Sequence, residues 1–475
     1  MIDEGNVIAV VDQGSTATKG ALFTPAGECL YETAFTVDRR MEGAVVEHDA
    51  GELARGVDQL VHELWRRQER VAAFGLTCQR STCLVWDRAT GEPLTPALSW
   101  QDRSELDRVE KMTEHGAEVT RRTGLPLSPH YAAPKLARLL EEIPRGLQRA
   151  AAGELVAGTL DSFLVRQLVG IDATEPGHAG RSLLYNLDSG EWDPKLCELF
   201  GIPPAALPEL RPSAGHWGQI AGVPLLAVAG DQQAALLGHG GWTTGTAVAH
   251  FGTGAFVLTS TGSEPVRHPG LLSAVLAATQ TGRRFQIEGA VNSAGSAVDR
   301  ACQLTGERLE DWRETRLDVD SLPLVLPALA GVGAPWWRPQ ARGLLTDGEL
   351  EIVGPVLLGG VLAGVAMRVV DCLEALRETG ARLRVLRLSG KLTRLRGLVD
   401  LIADAGQIEV EVSAQEETGL LGMAKLVASV LDNDEEPLAA SPATSYHRSP
   451  DWDPARAAAI REQWHRFVRR VLDLK

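Results

Sequence analysis

Two short units constrain this chain most, because each makes a buried strand reverse at a small polar turn. Residues 7–11 are a continuous apolar run rich in β-branched side chains; it ends in Asp12-Gln13-Gly14-Ser15-Thr16, and residues 19–23 resume the apolar pattern. Residues 247–251 behave alike, running into Gly252-Thr253-Gly254 before 255–259 resumes. Apolar runs bounded by turn residues read as strands. One such unit opening each half of the chain predicts a duplicated architecture. Helical periodicity at 52–69, 104–114, 134–142 and 355–379, mixed with strand-like runs at 72–77, 225–229 and 383–388, makes that architecture α/β. The halves should meet near 237–241, where Gly238-His239-Gly240-Gly241 suits a hinge, giving expected domains of 1–240 and 241–475. Residues 431–449 read as an exposed loop, and Asp453-Pro454 supplies a cap and first-turn proline for a closing helix over 455–474.

Of the 475 residues, 47 are Lys or Arg and 62 are Asp or Glu, a formal charge of −15. That balance argues against nucleic acid or an anionic membrane as partner, since neutralising phosphates takes a surplus of basic groups. The uncharged apolar stretches 322–337 and 352–367 fall short of the ~18 residues a spanning helix needs and carry Gly or Pro. The opening MIDEG is acidic, unlike the basic start of a secretion signal, so a cytoplasmic location is expected. Six cysteines lie scattered without a CxxC pair, which fits small buried thiols in a reducing compartment and argues against a zinc site.

Three stretches could carry chemistry. The turn DQGSTATK sets a carboxylate, Asp12, at a strand end, followed by Ser15, Thr16 and Lys19. Backbone amides, hydroxyls and an ammonium there suit terminal phosphates, and the carboxylate suits a hydrated magnesium ion. A lone turn of this composition is more often just a turn; the second, at 252–254, makes a shared polyphosphate site worth weighing, although the chain lacks the GxxxxGK[ST] loop. Asp231 stands where a strand ends and a helix begins, so it is either an N-cap or a general base for a hydroxyl nucleophile. Residues 75–103 look like one hairpin carrying Arg80 and Trp100. That pair could present a charged donor and an aromatic wall to a polyol, or be a surface arginine and a core tryptophan.

Taken in order, these stretches resemble the FGGY carbohydrate kinase family, and within it the glycerol kinase branch most. The resemblance rests on VDQGSTATK, VEHD at 46–49, GLTCQRSTCLVWDRATG with LSWQDR, GTLDSFL at 158–164, AGDQQAALLG at 229–238, FGTGAF at 251–256 and GVGAPWWRPQARG at 331–343. It implies two RNase H-like lobes around a cleft, as in actin, hexokinase and heat-shock ATPases, and ATP-dependent phosphorylation of a polyol or sugar hydroxyl. By that resemblance Asp12 organises Mg2+, and Ser15, Thr16, Lys19, Thr253, Gly254, Gly295, Gly390 and Lys391 bind the nucleotide. Asp231 is the implied base, and Arg80, Ser81, Trp100, Tyr131, Asp231, Gln232 and Phe256 the implied polyol site. The chain departs from the branch at Ser81, where a Glu contacts the polyol. It also departs at Lys391 and Leu395, where a Gly and an Asn face adenine, and at Asp299, where a Gln stands; a Gly/Arg regulatory loop is absent around 216–219. The expected partner is a small polyol or sugar, with a homo-oligomer left open. A second reading from a different class is a non-catalytic polyol sensor that kept the cleft.

Overall fold

A computed structural model describes residues 6–67, 70–346, 354–415, 417–434 and 442–473. In the first half, the Val7–Gln13 strand pairs antiparallel with Ala17–Phe23, which pairs antiparallel with Cys29–Thr36. On its other side Val7–Gln13 lies parallel to Val71–Cys78, and that strand parallel to Val223–Gly230. In the second half, Thr246–Phe251 takes the same central place: antiparallel to Ala255–Gly262 and through it to Gly282–Val291, parallel to Val385–Gly390 and through it to Glu409–Ser413. The two sheets thus share one five-strand order and one pattern of directions. The duplication expected from the two turns is a duplication of whole lobes.

The leading strand is apolar throughout because both its faces are covered. Val7, Ala9 and Val11 pack in one core with Leu53, Val57 and Leu60 of the Ala50–Arg67 helix. Ile8 and Val10 face the other side and share a core with Met423 and Val427 of the Thr418–Leu431 helix. Each such side chain, fully buried, is worth ~1.5–3 kcal/mol. The Thr418–Leu431 helix belongs to the second half of the chain yet covers the first sheet, and it lies against Asp231–Gly238 at a separation only glycine allows. A Cβ at Gly422 would stand 1.8 Å from the Ala234 carbonyl, and one at Gly238 1.9 Å from that of Thr418. One helix therefore ties the lobes together behind the cleft.

Several local expectations need correction. Residues 75–103 are not one hairpin: Val71–Cys78 lies in the six-stranded sheet, whereas Cys83–Asp87 pairs with Leu155–Thr159 and Ala97–Leu98 in a separate five-stranded sheet. The chain changes sheets at 79–82, where Ser81 adopts φ 64°. The stretch 431–449 holds an edge strand, Thr444–Arg448, beside Glu409–Ser413, while 435–441 lies outside the described residues. The helix expected over 104–114 is Leu106–Lys111 followed by a 3-10 turn. Cys29 is exposed, because its strand is the edge of the first sheet. The Pro355–Glu378 helix is long and apolar enough to cross a membrane, unlike the shorter run read from sequence; it is almost wholly buried in the second lobe and contains the Arg368–Asp371 ion pair. The closing helix runs Pro454–Val471, capped by the Asp453 carboxylate, which accepts from the Ala455 and Arg456 amides at 3.0 Å.

Candidate active site

The first turn is closed by the Gly14 amide donating to the Ala17 carbonyl at 2.9 Å, leaving Ser15 partly exposed and Thr16 exposed. Gln13 and Thr18 brace it from below through a 2.8 Å hydrogen bond. Asp12 is partly buried at the strand end, and its Oδ1 has no hydrogen-bond partner. Burial, then repulsion from Asp231, pushes the Asp12 carboxyl up to about 8, although Lys19 pulls it down. Lys19 pairs with Glu417, the residue just before the Thr418–Leu431 helix, so this ion pair joins the two halves of the chain.

The second turn is bonded onto the Gly295–Thr305 helix. The Gly295 amide donates to the Gly252 carbonyl at 3.1 Å, and the Ser296 amide to that of Thr253 at 3.0 Å. A Cβ at Gly295 would meet the Gly252 carbonyl at 2.4 Å, so a side chain there would part helix and turn. Gly390 pairs with Phe251 across parallel strands; at φ 98°, with the Phe251 carbonyl 2.1 Å from any Cβ, it too admits no side chain. Thr253, Gly254, Gly295 and Gly390 thus gather around one strand end. Burial lowers the His250 pKa while Glu417 and Asp231 oppose it, which places that strand end within electrostatic reach of Asp231 in the first half of the chain. Lys391 is exposed beside Gly390, Asp299 is exposed on its helix, and Leu395 is buried in the core of the second lobe.

Asp231 is the first residue of the Asp231–Gly238 helix, not its N-cap, which is Gly230. Its Oδ1 accepts from the Gln232 amide at 2.7 Å and lies 3.4 Å from Arg80 Nε. Arg80 is a buried arginine rather than a surface one, and its guanidinium stands 5.9 Å from the Phe256 ring centre. Gln232 Oε1 is buried without a partner. Tyr131 is buried, and burial raises its phenol to about 12 despite the nearby Arg181 guanidinium. Trp100 is 36% exposed, a surface tryptophan rather than a core one. The structure therefore gathers Arg80, Tyr131, Asp231 and Phe256 at one point, with Ser81 beside them.

Two residues of this cluster escaped the sequence reading. Glu288, fully buried on the Gly282–Val291 strand, accepts from Arg80 Nη1 on Oε2 at 2.9 Å and stands 2.6 Å from Arg181 Nη2 in an ion pair. Burial alone would raise its carboxyl, but Arg181 and Arg80 hold it at about 2. The signal was available: a glutamate inside the apolar run FQIEGAV must be buried, and a buried carboxylate requires a cation. Together Arg80, Arg181, Glu288 and Asp231 carry two formal charges of each sign.

Duplicated sheets of this order, each with a small polar turn at the end of its leading strand, define a two-lobed α/β protein with the actin-like ATPase fold. The comparisons with known proteins make that specific. Residues 7–238 match the N-terminal domain, and residues 247–431 the C-terminal domain, of the FGGY family of carbohydrate kinases. Glycerol kinase of Thermus brockianus is 36% identical over 98% of both chains, and that of Gluconobacter oxydans 33% identical over 98% of this chain and 95% of that one. The crystal structure of Plasmodium falciparum glycerol kinase with ADP aligns with a TM-score of 0.90 at 24% identity, covering 98% of both chains. Ligand-bound xylulose kinase from Lactobacillus acidophilus aligns at 0.87 and 18%, again over 98% of each. The chain belongs to the FGGY family of carbohydrate kinases; it is a phosphotransferase of the glycerol kinase-like kind, acting on an alcohol group of a polyol or sugar with ATP.

Proposed function

We propose that Asp231 is the general base and that the acceptor lies against Arg80, Ser81, Trp100, Tyr131, Gln232 and Phe256. Asp231 takes the proton of the acceptor hydroxyl as that oxygen attacks the terminal phosphorus of ATP. The observation that supports this is the place of its carboxylate: one-third exposed, 3.4 Å from the buried Arg80, and close enough to Asp12 to raise that group's pKa. Arg80 cannot swing away, because Glu288 holds its far nitrogens. Ser15, Thr16 and Lys19 from the first lobe (1–240) and Thr253, Gly254, Gly295, Gly390 and Lys391 from the second (241–475) would hold the nucleotide. Lys19 reaches the phosphates by leaving Glu417.

Mg2+ fits at Asp12. An orphaned carboxylate oxygen and a carboxyl kept protonated by burial are both relieved by a divalent cation, which needs one carboxylate besides water and phosphate oxygens. When bound, it neutralises charge on the transferring phosphoryl group. With its carboxyl pushed up to about 8, Asp12 carries a proton at pH 7 in most molecules. Binding of Mg-ADP at pH 7 should therefore release close to one proton, read by calorimetry in buffers of different ionisation enthalpy. Asp12→Asn should release none from this site, and an unchanged proton count in that variant would remove the assignment.

The acceptor is proposed to be a four- to six-carbon polyol or ketose in preference to glycerol. Where the glycerol kinase branch has a Glu beside the arginine, this chain has Ser81, short and neutral. A lost charge-assisted hydrogen bond costs ~1.5–3 kcal/mol, enough to weaken glycerol about ten-fold or more. The test is ADP formation over a panel of glycerol, erythritol, ribitol, xylitol, xylulose and rhamnulose. A longer acceptor should lead in kcat/KM, and Ser81→Glu should shift preference toward glycerol. Glycerol leading the wild-type panel would overturn this.

A further inference from the structure

Lys135 lies in the first turns of the Ala132–Glu142 helix and has no exposed surface. The place is doubly unfavourable for an ammonium, since burial strips its water and the helix dipole repels a cation at this end. Burial accordingly lowers its pKa, with Asp102 and Cys83 acting the other way. What holds it is three backbone carbonyls: Nζ donates to Ser81 O at 2.9 Å, Ser99 O at 2.9 Å and His130 O at 3.1 Å. Those three bonds use every donor the ammonium has.

Each carbonyl belongs to a neighbour of an acceptor-site residue. Ser81 follows Arg80, Ser99 precedes Trp100, and His130 precedes Tyr131. The three come from separate stretches: the crossing between two sheets, the segment after the Ala97–Leu98 strand, and the loop entering the helix. We propose that Lys135 is a positioning residue for the acceptor, one buried ammonium that holds three walls of the pocket in register. The inference rests on the acceptor site assigned above. Ser81 shows the force of the constraint, because φ 64° is a conformation a serine keeps only when its surroundings hold it there. Trp100 is tied into the same assembly: its amide donates to Thr82 Oγ1 at 3.1 Å and its carbonyl meets His130 Nδ1 at 3.0 Å. Without Nζ, the Ser81 and His130 carbonyls lose this donor, the Ser99 carbonyl keeps only the Asp102 amide at 3.0 Å, and Ser81 is free to relax, moving Arg80 relative to Trp100 and Tyr131. The nucleotide turns, which Lys135 does not touch, should be spared.

The test uses the full chain with Lys135→Met, of similar length and without donors, Lys135→Arg, and Trp100→Ala as reference for the pocket. KM for the best acceptor and KM for ATP are measured separately. Lys135→Met should raise acceptor KM at least ten-fold with ATP KM within two-fold, and Lys135→Arg should fall between it and wild type. Should Lys135→Met not yield folded protein, Lys135→Arg carries the test: its planar fork cannot aim donors at the same three carbonyls, so acceptor KM must still rise alone. If Trp100→Ala raises acceptor KM while the Lys135 variants leave it unchanged, or shift both KM values together, the positioning role is wrong. If Trp100→Ala also has no effect, the acceptor-site assignment itself falls, and this inference with it.

Discussion

Asp231→Asn should lower the turnover of acceptor phosphorylation by ~10²–10⁴ while the protein still binds nucleotide and acceptor. Asn has the same shape and keeps a carbonyl oxygen for the Gln232 amide, so the start of the Asp231–Gly238 helix survives. What it loses is the ability to take a proton at 3.4 Å from Arg80, where the acceptor hydroxyl is proposed to lie. A second readout separates a missing base from a disturbed site. Asp231 is one of the causes that raise the Asp12 carboxyl, so removing its charge lowers that pKa and leaves more Asp12 ionised at pH 7. Fewer protons should then be released when Mg-ADP binds. The measurements are kcat from ADP formation with saturating acceptor, and calorimetric proton release. Turnover within two-fold of wild type would end the assignment of Asp231 as base.

How much of this was legible in the sequence follows from how each element is stabilised. The leading strands were visible because being covered on both faces demands an unbroken apolar run, and their turns because Gly, Ser and Thr interrupt it. The split of 75–103 between two sheets was not visible: periodicity reports that two strands exist, not which neighbour each one chooses, and here the change is made at Ser81. The Thr444–Arg448 strand was read as loop because an edge strand facing solvent can be polar along its length. In the site, Asp12 and Asp231 were picked out by their places at strand ends, and Arg80 by its company with Trp100 in the stretch read as one hairpin. The burial of Arg80 was not, because arginine is ordinarily exposed, and its burial rests largely on Glu288, 208 residues away, which no local pattern links to it. Lys135 stayed hidden for a related reason: its partners are backbone carbonyls, and a carbonyl leaves no mark on the sequence.

Glu288→Gln should be strongly destabilising for so conservative a change. The carboxylate sits fully buried between two guanidinium groups and is held at about 2, against an ordinary glutamate value of 4.5. A shift of that size corresponds to about 3 kcal/mol at neutral pH, in line with the ~3–5 kcal/mol expected when one partner of a buried ion pair is removed and the other left uncompensated. Here two guanidiniums, Arg80 and Arg181, are left behind. The pH dependence has a definite sign. Because the folded pKa is depressed, the stabilisation is fully present above pH 4.5 and is lost as pH falls toward 2, so the gap between wild type and Glu288→Gln in denaturant unfolding should close over that window. Acceptor KM should rise as well, since Arg80 would lose the anchor that fixes its guanidinium beside Asp231. Arg80→Met, Arg181→Met and Glu288→Leu combined should recover much of the lost stability, because no charge is then buried alone, yet leave acceptor binding abolished. Stability and acceptor affinity moving apart in that triple variant would mean the charge cluster serves recognition rather than folding. A Glu288→Gln protein as stable as wild type at pH 7 would show that the two guanidiniums find other partners and that this carboxylate holds neither of them.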